Sequence, residues 1–357
     1  MGKPKRRLMP KAGQEGQNLQ GYPDEKSTMQ IPAMWWPSFR TGLAVHRGVE
    51  RNLLFSTWGG LGDQACAEPA IRYAMKHFKN CKFSLASEKP DLYQHLKFEK
   101  VYDLNKVKPT WQDYFVFSTI RDTSHAQWEF MSHMLMQAVD YCSLNMFRLQ
   151  MPIADKEIQL FPRDPEAHIQ AMIPDVPQVV IHPGRHWQTK TFPAHFWNAV
   201  IQTIIDEGVL PIIIGANADD NRGTVDIDAS GCVDLRNQTS INDLMWVCKN
   251  ADVLLTNDSS PLHIAAAGRA WIGFIATCKH PDYITHYREG VWGWRMKNFG
   301  QGGIWDSQDY CPNVMQQVDV DKADPAVIES WLPDPRIYAM WAVNKAYELF
   351  SLRVDIL

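Results

Sequence analysis

The amino-acid sequence predicts an α/β protein whose two halves are each built on a parallel sheet. Short apolar segments alternate with segments of helical period along most of the chain, which is the order that βαβ units require. The alternation stops over residues 151–176, where four prolines fall among scattered charges. This composition is typical of a linker between domains. The two sheets are expected to face each other across a cleft, with a ligand bound at the carboxyl ends of the strands.

The first half follows a basic N-terminal segment. Residues 1–50 hold eight Lys or Arg against four Asp or Glu and show no hydrophobic period, so we expect a partly flexible arm there and a first domain over residues 51–165. In that domain, apolar runs predict strands and a helical period predicts helices. The predicted strands are Leu53–Thr57, Lys82–Ser87, Val101–Leu104 and Tyr114–Ser118, and the predicted helices run from Asp63 to about Phe78 and over Ser124–Met146.

The second half repeats the alternation over residues 175–330, and a closing helix is expected within residues 331–357. Residues 285–316, which are rich in Gly and Trp, are expected to be irregular. The predicted strands are Gln178–His182, Val209–Gly215, Cys232–Leu235, Val253–Thr256 and Trp271–Ile275. The predicted helices are Pro193–Asp206, Ser240–Lys249, Pro261–Ala267, Pro325–Trp331 and Ile337–Phe350.

Composition and charge exclude several classes of protein. Hydrophobic residues make up 45% and charged residues 21% of the 357 residues, which excludes wholesale disorder. No run approaches the roughly 18–20 apolar residues of a spanning helix. The net charge of −4 excludes a chain that is basic overall and seeks nucleic acid. The seven cysteines show no zinc-site spacing and no signal peptide precedes them, so we expect reduced thiols, no metal site and a cytoplasmic location.

A glycine-rich turn between the first strand and its helix is the first candidate for chemistry. Gly60, Gly62 and Asp63 lie in this turn, and the glycines allow a substrate close to the main chain. Asp63 falls in the first turn of the helix, where the helix dipole keeps a carboxylate ionised, as a general base requires. Two alternatives stay open. The carboxylate caps its own helix, or the turn, which fits G-x-G-x-x-[GA] and is followed by Glu88, binds a dinucleotide.

Two loops of the second half have residues suited to phosphate. Gly184, Arg185 and Lys190 lie between a strand and a helix, and their amides and cations can hold an anion. A solvated basic loop is the alternative. The turn Asp258–Ser260 opens an alanine-rich helix, whose uncovered N-terminus suits a diphosphate, although these residues are also ordinary helix caps. One half with anion loops and one half with a carboxylate is the layout that glycosyl transfer requires.

In their order and spacing, these motifs resemble the heptosyltransferase family of glycosyltransferases, glycosyltransferase family 9. The resemblance covers roughly residues 50–280. It includes the strand and GLGD turn of Leu53–Ala70, the HPG…K..P loop and, as the most diagnostic element, N-D-S-x-P-x-H from Asn257 to His263. The chain departs from the family at Ser260, where a glycine is usual, and after Gly215, where the expected acid is shifted.

The resemblance implies the GT-B fold, with a Rossmann-like acceptor domain first and a Rossmann-like nucleotide-sugar domain second. It implies an inverting transfer, without metal or cofactor, from a nucleotide-diphosphate sugar such as ADP-heptose to a glycan or lipid-linked acceptor such as a lipopolysaccharide core. Asp63 would be the catalytic base, and Lys190 would bind the donor phosphates. The other implied substrate-binding residues are Gly60, Gly62, Gly184, Arg185, Thr239, Ser240, Asp258, Ser259, Ser260 and His263.

Three alternatives stay open, two from other classes of function and one that keeps the chemistry but changes the acceptor. An NAD-dependent oxidoreductase would use the first glycine turn but leaves the anion loops of the second half unexplained. A binding protein without activity would keep the cleft. A glycosyltransferase that modifies hydroxymethylated bases of DNA would use the basic arm for contacts with phosphate.

Overall fold

The computed structural model describes residues 51–57, 59–78, 80–118, 157–184, 190–216, 224–276, 291–295, 303–304, 326, 329 and 332–354. The N-terminal arm and the helix predicted over Ser124–Met146 lie outside these residues. The described strands form two sheets, one before and one after the predicted linker. Among the described helices, none combines the length and the apolar character that crossing a membrane requires.

A four-stranded parallel sheet forms the first lobe, with the order β3-β2-β1-β4. β1 lies in the interior of the sheet and pairs with β2 along its whole length. Leu53, Leu54 and Phe55 are fully buried, as expected for an inner strand of a parallel sheet that is covered on both faces. The strands are β1 (Arg51–Thr57), β2 (Cys81–Ser87), β3 (Lys100–Asp103) and β4 (Phe115–Ser118).

Two short helices follow β1 where the sequence predicts one. α1 is Leu61–Ala65 and α2 is Glu68–His77. Pro69 explains the break between them, because it has no N–H to donate to the carbonyl of Ala65 and its ring would collide with that carbonyl. Cys66 therefore lies at the C-terminal end of α1, outside the body of a continuous helix.

A seven-stranded sheet forms the second lobe, with the order β11-β10-β9-β8-β5-β6-β7. All neighbouring strands are parallel except β10 and β11. The order runs outward from β5 to β7 on one side and from β8 to β11 on the other, so the topology reverses between β5 and β8. The strands are β5 (Gln178–His182), β6 (Leu210–Ile213), β7 (Val233–Asp234), β8 (Val253–Asn257), β9 (Trp271–Ala276), β10 (Val291–Arg295) and β11 (Gly303–Ile304).

Helices of the second lobe pack on this sheet through small or apolar faces. They are α3 (Ala167–Met172), α4 (Ala194–Asp206), α5 (Ile241–Asn250), α6 (Ser260–Ala265) and α7 (Pro335–Val354). Fully buried Ala339, Ala342 and Ala346 let α7 pack closely on its neighbours. The hydroxyl of Tyr338 donates to the carbonyl of Gly273 at 2.9 Å and ties α7 to β9.

The linker is bound to both lobes. From the first lobe, the carboxylate of Glu68 is fully buried and accepts from the backbone N–H of Gln159 at 2.9 Å. From the second lobe, the side chains of Asn242 and Asp243 accept from backbone N–H groups of the linker, each at 2.9 Å. We define the linker segment as residues 157–166. Three of its backbone N–H groups are therefore bonded by side chains from helices of both lobes rather than by solvent.

The structure differs from the sequence prediction in the Gly- and Trp-rich segment. Residues 285–316 were expected to be irregular, which is wrong for β10 and β11. β10 has the sequence Val-Trp-Gly-Trp-Arg, whose residues other than glycine favour or tolerate a strand, and it pairs along its length with β9. The short helix α3 lies within the predicted linker, and α7 extends beyond Ile337–Phe350 at both ends.

Candidate active site

The point where the strand order reverses carries the motifs of the second lobe. His182 ends β5, and it lies opposite Thr256 in the neighbouring strand β8. Asn257 ends β8, and α6 begins three residues later at Ser260. In open α/β sheets, ligands bind in the crevice beyond the carboxyl ends of the strands at such a reversal. The topology thus brings the HPG loop and the Asp258–Ser260 turn to the same end of the sheet.

The first lobe contacts this end of the sheet through α1. A Cβ atom added to Gly62 would lie 2.6 Å from Cδ2 of His263 and 3.2 Å from Cα of Ser260. Both distances are too short for an ordinary carbon contact. A glycine is therefore required at position 62 for α1 and α6 to approach as they do. Asp63, the next residue, lies at the edge of this contact.

Asp63 caps its own helix. Its Oδ2 accepts from the backbone N–H of Gly60 at 2.8 Å. The structure thus contains the helix cap that the sequence left open as one alternative. A carboxylate accepts several hydrogen bonds, so this contact is compatible with a role as a base. It also occupies an amide that a dinucleotide pyrophosphate would use, which disfavours the dinucleotide alternative.

A buried network of polar side chains holds the glycine turn in place. The side chain of Gln64 is fully buried, and its Oε1 accepts from the hydroxyls of Thr57 at 3.0 Å and Ser87 at 2.7 Å. Its Nε2 donates to the carbonyl of Gly59 at 3.2 Å. Tyr93 adds a bond of 2.6 Å from its hydroxyl to the backbone carbonyl of Gln64. Satisfied buried networks of this kind hold a unique geometry, so the glycine turn is fixed to the ends of β1 and β2.

Asn257 joins the HPG loop to the end of β8. Its Nδ2 donates to the carbonyls of Gly184 at 2.8 Å and of Lys190 at 2.5 Å. The ammonium of Lys190 pairs with Oδ2 of Asp258 at 2.5 Å, and both side chains are largely buried. The structure therefore brings together Gly184, Lys190 and Asp258, three of the predicted substrate-binding residues.

His182 and Ser259 are coupled beneath the same turn. Ser259 precedes α6 but makes no capping bond to it; its hydroxyl lies 3.0 Å from Nδ1 of His182 and 3.0 Å from Oγ1 of Thr256. Burial lowers the pKa of His182 to about 4, against a weaker opposing effect of the Asn257 side chain. The imidazole is therefore neutral near pH 7 and can accept a hydrogen bond from a hydroxyl.

Thr239 and Ser240 lie farther along the sheet. They follow β7, the edge strand, and Ser240 caps α5. The Ser240 hydroxyl donates to Asp243 at 2.6 Å. Burial raises the pKa of Asp243, but bonds from Ser240 and from the backbone of Glu166 outweigh that effect and leave it below its ordinary value. Ser240 thus has a structural role here, whatever it contributes to a ligand.

The structure adds residues that sequence reasoning missed. Gln64 had a weak signal, because it is one of two polar residues in the short helix α1. Cys66 had no signal, because its partner is distant in the chain. Its Sγ contacts Nδ1 of His263, in the other lobe, at 3.3 Å. Arg185 lies outside the described residues, as does the basic arm on which the DNA alternative depends. Where the structure is described, no cluster of three or more His, Cys, Asp or Glu could hold a metal ion.

Comparison by sequence gives one family. Residues 112–274 match the model for glycosyltransferase family 9 (heptosyltransferase). The matched segment includes the HPG loop, the linker and the whole N-D-S-x-P-x-H element, but not the glycine turn with Asp63. No curated protein sequence matches the chain.

Comparison by structure gives similarity to solved glycosyltransferases and heptosyltransferases. A glycosyl transferase family 9 protein from Veillonella parvula shares 11% identity over 85% of this chain and 98% of its own, with a TM-score of 0.55. The E. coli ADP-heptose lps heptosyltransferase II shares 13% identity over 85% and 99%, with a TM-score of 0.53. The iron-containing dodecameric glycosyltransferase TibC from E. coli shares 17% identity over 84% and 77%, with a TM-score of 0.56. The predicted α/β fold with two parallel sheets, similar to that of GT-B heptosyltransferases, is confirmed.

Proposed function

We propose, from the match of residues 112–274 to the glycosyltransferase family 9 model, that this chain transfers a sugar from a nucleotide-diphosphate sugar to a hydroxyl acceptor, with inversion and without a metal. The observation that carries the proposal is the contact of Gly62 with Ser260 and His263. It brings the turn that bears Asp63 next to the turn whose Asp258 pairs with Lys190. A base on one lobe and a cation on the other are the two groups that such a transfer needs.

The second lobe binds the donor in this proposal. The ammonium of Lys190, held by Asp258, contacts the diphosphate together with the amides at the start of α6. The missing side chain of Gly184 leaves room for the imidazole of His182, and neutral His182 orients the hydroxyl of Ser259. Arg185 adds a second cation, and Thr239 and Ser240 frame the nucleobase. As negative charge grows on the leaving diphosphate, these preorganised groups stabilise it without reorganisation.

The first lobe holds the acceptor, and Asp63 acts on it. Its carboxylate removes the proton of the acceptor hydroxyl while that oxygen attacks the anomeric carbon from the face opposite the diphosphate. The bond to the leaving phosphate oxygen breaks, and the anomeric configuration inverts. The bonds to Gly60 and the Gln64 network favour this role, because a base that is already positioned loses little freedom in the reaction.

The donor is ADP-heptose or a close analogue in this proposal, and the acceptor is a glycan or lipopolysaccharide core. Support comes from the names of the structural neighbours, one of which is an ADP-heptose heptosyltransferase and another a TibC complex with ADP-D-beta-D-heptose. TibC is described as iron-containing, so metal independence needs its own test. Transfer measured after treatment with EDTA should equal that of the untreated protein, and a loss restored by a metal would overturn this part.

Asp63→Asn is the sharpest test, because asparagine keeps an oxygen that caps α1 but cannot act as a base. Loss of a general base lowers turnover by about 10²–10⁴-fold. We therefore expect that loss in the rate of transfer from ADP-heptose, with ADP binding unchanged by calorimetry. Lys190→Gln is the matched donor variant and should weaken ADP binding by about 10–100-fold, as removal of a charge-assisted bond does. If Asp63→Asn keeps its turnover, Asp63 is not the base.

A further inference from the structure

Cys66 and His263 form a contact that no motif of the chain suggests. Cys66 follows α1 of the first lobe, and His263 lies in α6 of the second lobe. The Sγ of Cys66 lies 3.3 Å from Nδ1 of His263, within hydrogen-bond distance for sulfur. Cys66 is fully buried, and His263 is 7% exposed. The pair therefore lies in the interface between the lobes, where solvent does not compete for either group.

The surroundings fix the orientation of the imidazole. The edge of the ring that bears Cδ2 and Nε2 faces Gly62, where an added Cβ would lie 2.6 Å from Cδ2 and 3.4 Å from Nε2. The other edge, with Nδ1, faces Cys66. Both contacts come from α1 and its end, four residues apart. The first lobe thus determines the orientation of a side chain that belongs to the second.

The thiol also has a chemical consequence for the ring. A neutral thiol has one S–H to donate and is a poor acceptor, whereas a neutral imidazole has one nitrogen that accepts and one that donates. The better pairing has Cys66 donating to Nδ1, which leaves the ring proton on Nε2. We propose that Cys66 is a positioning residue that keeps His263 in the Nε2–H tautomer, with that nitrogen turned toward the glycine turn that bears Asp63.

The functional meaning of this inference rests on the proposed function, but its spectroscopic test does not. His263 is one of the residues assigned to the donor site, so its tautomer decides whether it offers a donor or an acceptor there. The contact spans the two lobes, so the hydrogen bond that strengthens the preference for this tautomer forms only when the lobes are in contact. The position of the first lobe is thereby coupled to the hydrogen-bonding character of the second.

The first measurement is nitrogen NMR of the full chain with ¹⁵N-labelled histidine. His263→Gln assigns the His263 signals by their disappearance. In the unchanged protein we expect Nδ1 to resonate as an unprotonated nitrogen and Nε2 as a protonated one. In Cys66→Ala the two signals should move toward each other, as the tautomers mix. Cys248→Ala is the matched control, because Cys248 is equally buried but belongs to α5 rather than to α1 or α6, and it should leave both signals unchanged.

A second measurement covers the case in which Cys66→Ala does not fold. The infrared S–H stretch of Cys66 should lie at a lower frequency in the unchanged protein than in His263→Ala, because a donating thiol has a weakened S–H bond. The proposal is overturned if the His263 signals of folded Cys66→Ala match those of the unchanged protein, or if the S–H band does not move in His263→Ala.

A measurement of sugar transfer distinguishes failure of this inference from failure of the proposed function. In Cys66→Ala we expect the turnover with ADP-heptose to fall by about two- to tenfold, as the loss of one neutral hydrogen bond allows. If the unchanged protein transfers no sugar, the proposed function fails, yet the spectroscopic results still decide the role of Cys66. If transfer occurs and the tautomer does not respond, the proposed function stands and only this inference fails.

Discussion

Replacing Gly62 with alanine tests the contact between the two lobes directly. In a helix, alanine is ordinarily more favourable than glycine by about 0.5–1 kcal/mol. Here the new methyl would lie 2.6 Å from Cδ2 of His263 and 3.2 Å from Cα of Ser260. One of these atoms belongs to a ring that is itself buried and the other to backbone, so the clash is relieved only by moving α1 away from α6. Such overpacking costs about 1–3 kcal/mol, which reverses the usual sign.

The assay is urea unfolding of Gly62→Ala beside Gly60→Ala. An added Cβ at Gly60 would meet only Oδ2 of Asp63, at an ordinary 3.4 Å, so that variant lacks the clash and reports the cost of an alanine at the cap alone. We expect Gly62→Ala to unfold at clearly lower urea than both the unchanged protein and Gly60→Ala. The reasoning is refuted if Gly62→Ala is as stable as the unchanged protein, since α1 and α6 would then not approach as described.

Three further predictions concern the supports of the site. Asn257→Ala removes the amide that donates to the buried carbonyls of Gly184 and Lys190. At about 1–3 kcal/mol for each of the two groups, urea unfolding should show a loss of about 2–6 kcal/mol, and a smaller loss contradicts the importance of these two bonds. Because the pKa of His182 is about 4 when folded and ordinarily 6.5, the unfolded chain binds the proton first, so stability should fall as the pH drops from about 6.5 to 4. This slope should be smaller in His182→Gln, and an equal slope would assign it to another group. Glu68→Gln removes the charge that pairs with Arg72 at 2.8 Å, and breaking a buried pair costs about 3–5 kcal/mol. Limited proteolysis within residues 157–166 should therefore become faster. An unchanged cleavage rate would contradict the role of Glu68 in binding the linker segment.

The parts of the fold that follow local rules could be predicted from the sequence. β1, β5 and β8 each contain an uninterrupted apolar run, Leu53–Phe55, Val179–Ile181 and Val253–Leu255, and such runs are typical of strands buried on both faces. Their alternation with helices predicts parallel sheets. β10 could not be predicted in the same way, because its two tryptophans and glycine read as a loop until β9 is present to pair with it. Strand preference depends on the neighbouring strand more than on the residues themselves.

In the candidate site, too, the features that could be predicted are those made by residues close together in the chain. The turn that bears Asp63 and the turn Asp258–Ser260 were found from residues that are close in the chain, since caps and glycine turns are local. The clamp of Asn257 on Lys190 and the contact of Cys66 with His263 join residues that are 67 and 197 positions apart. No periodicity or short motif reports such a pairing. Gln64 lies between these cases: its polarity on α1 was visible, but its partners Thr57 and Ser87 emerge only when β1 and β2 are adjacent.

The double attachment of the linker segment has a consequence for any attempt to divide or recombine the molecule. A fragment that ends at residue 165 keeps the bond of Gln159 to Glu68 but separates the N–H of Arg163 from the side chain of Asn242. A fragment that starts at residue 157 keeps the bonds of Asn242 and Asp243 but separates the N–H of Gln159 from the carboxylate of Glu68. Neither half can be excised without exposing polar groups that the intact chain satisfies. Chimaeras made by exchanging halves between relatives should therefore inherit residues 157–166 together with both sets of partners, Glu68 on one side and Asn242 and Asp243 on the other.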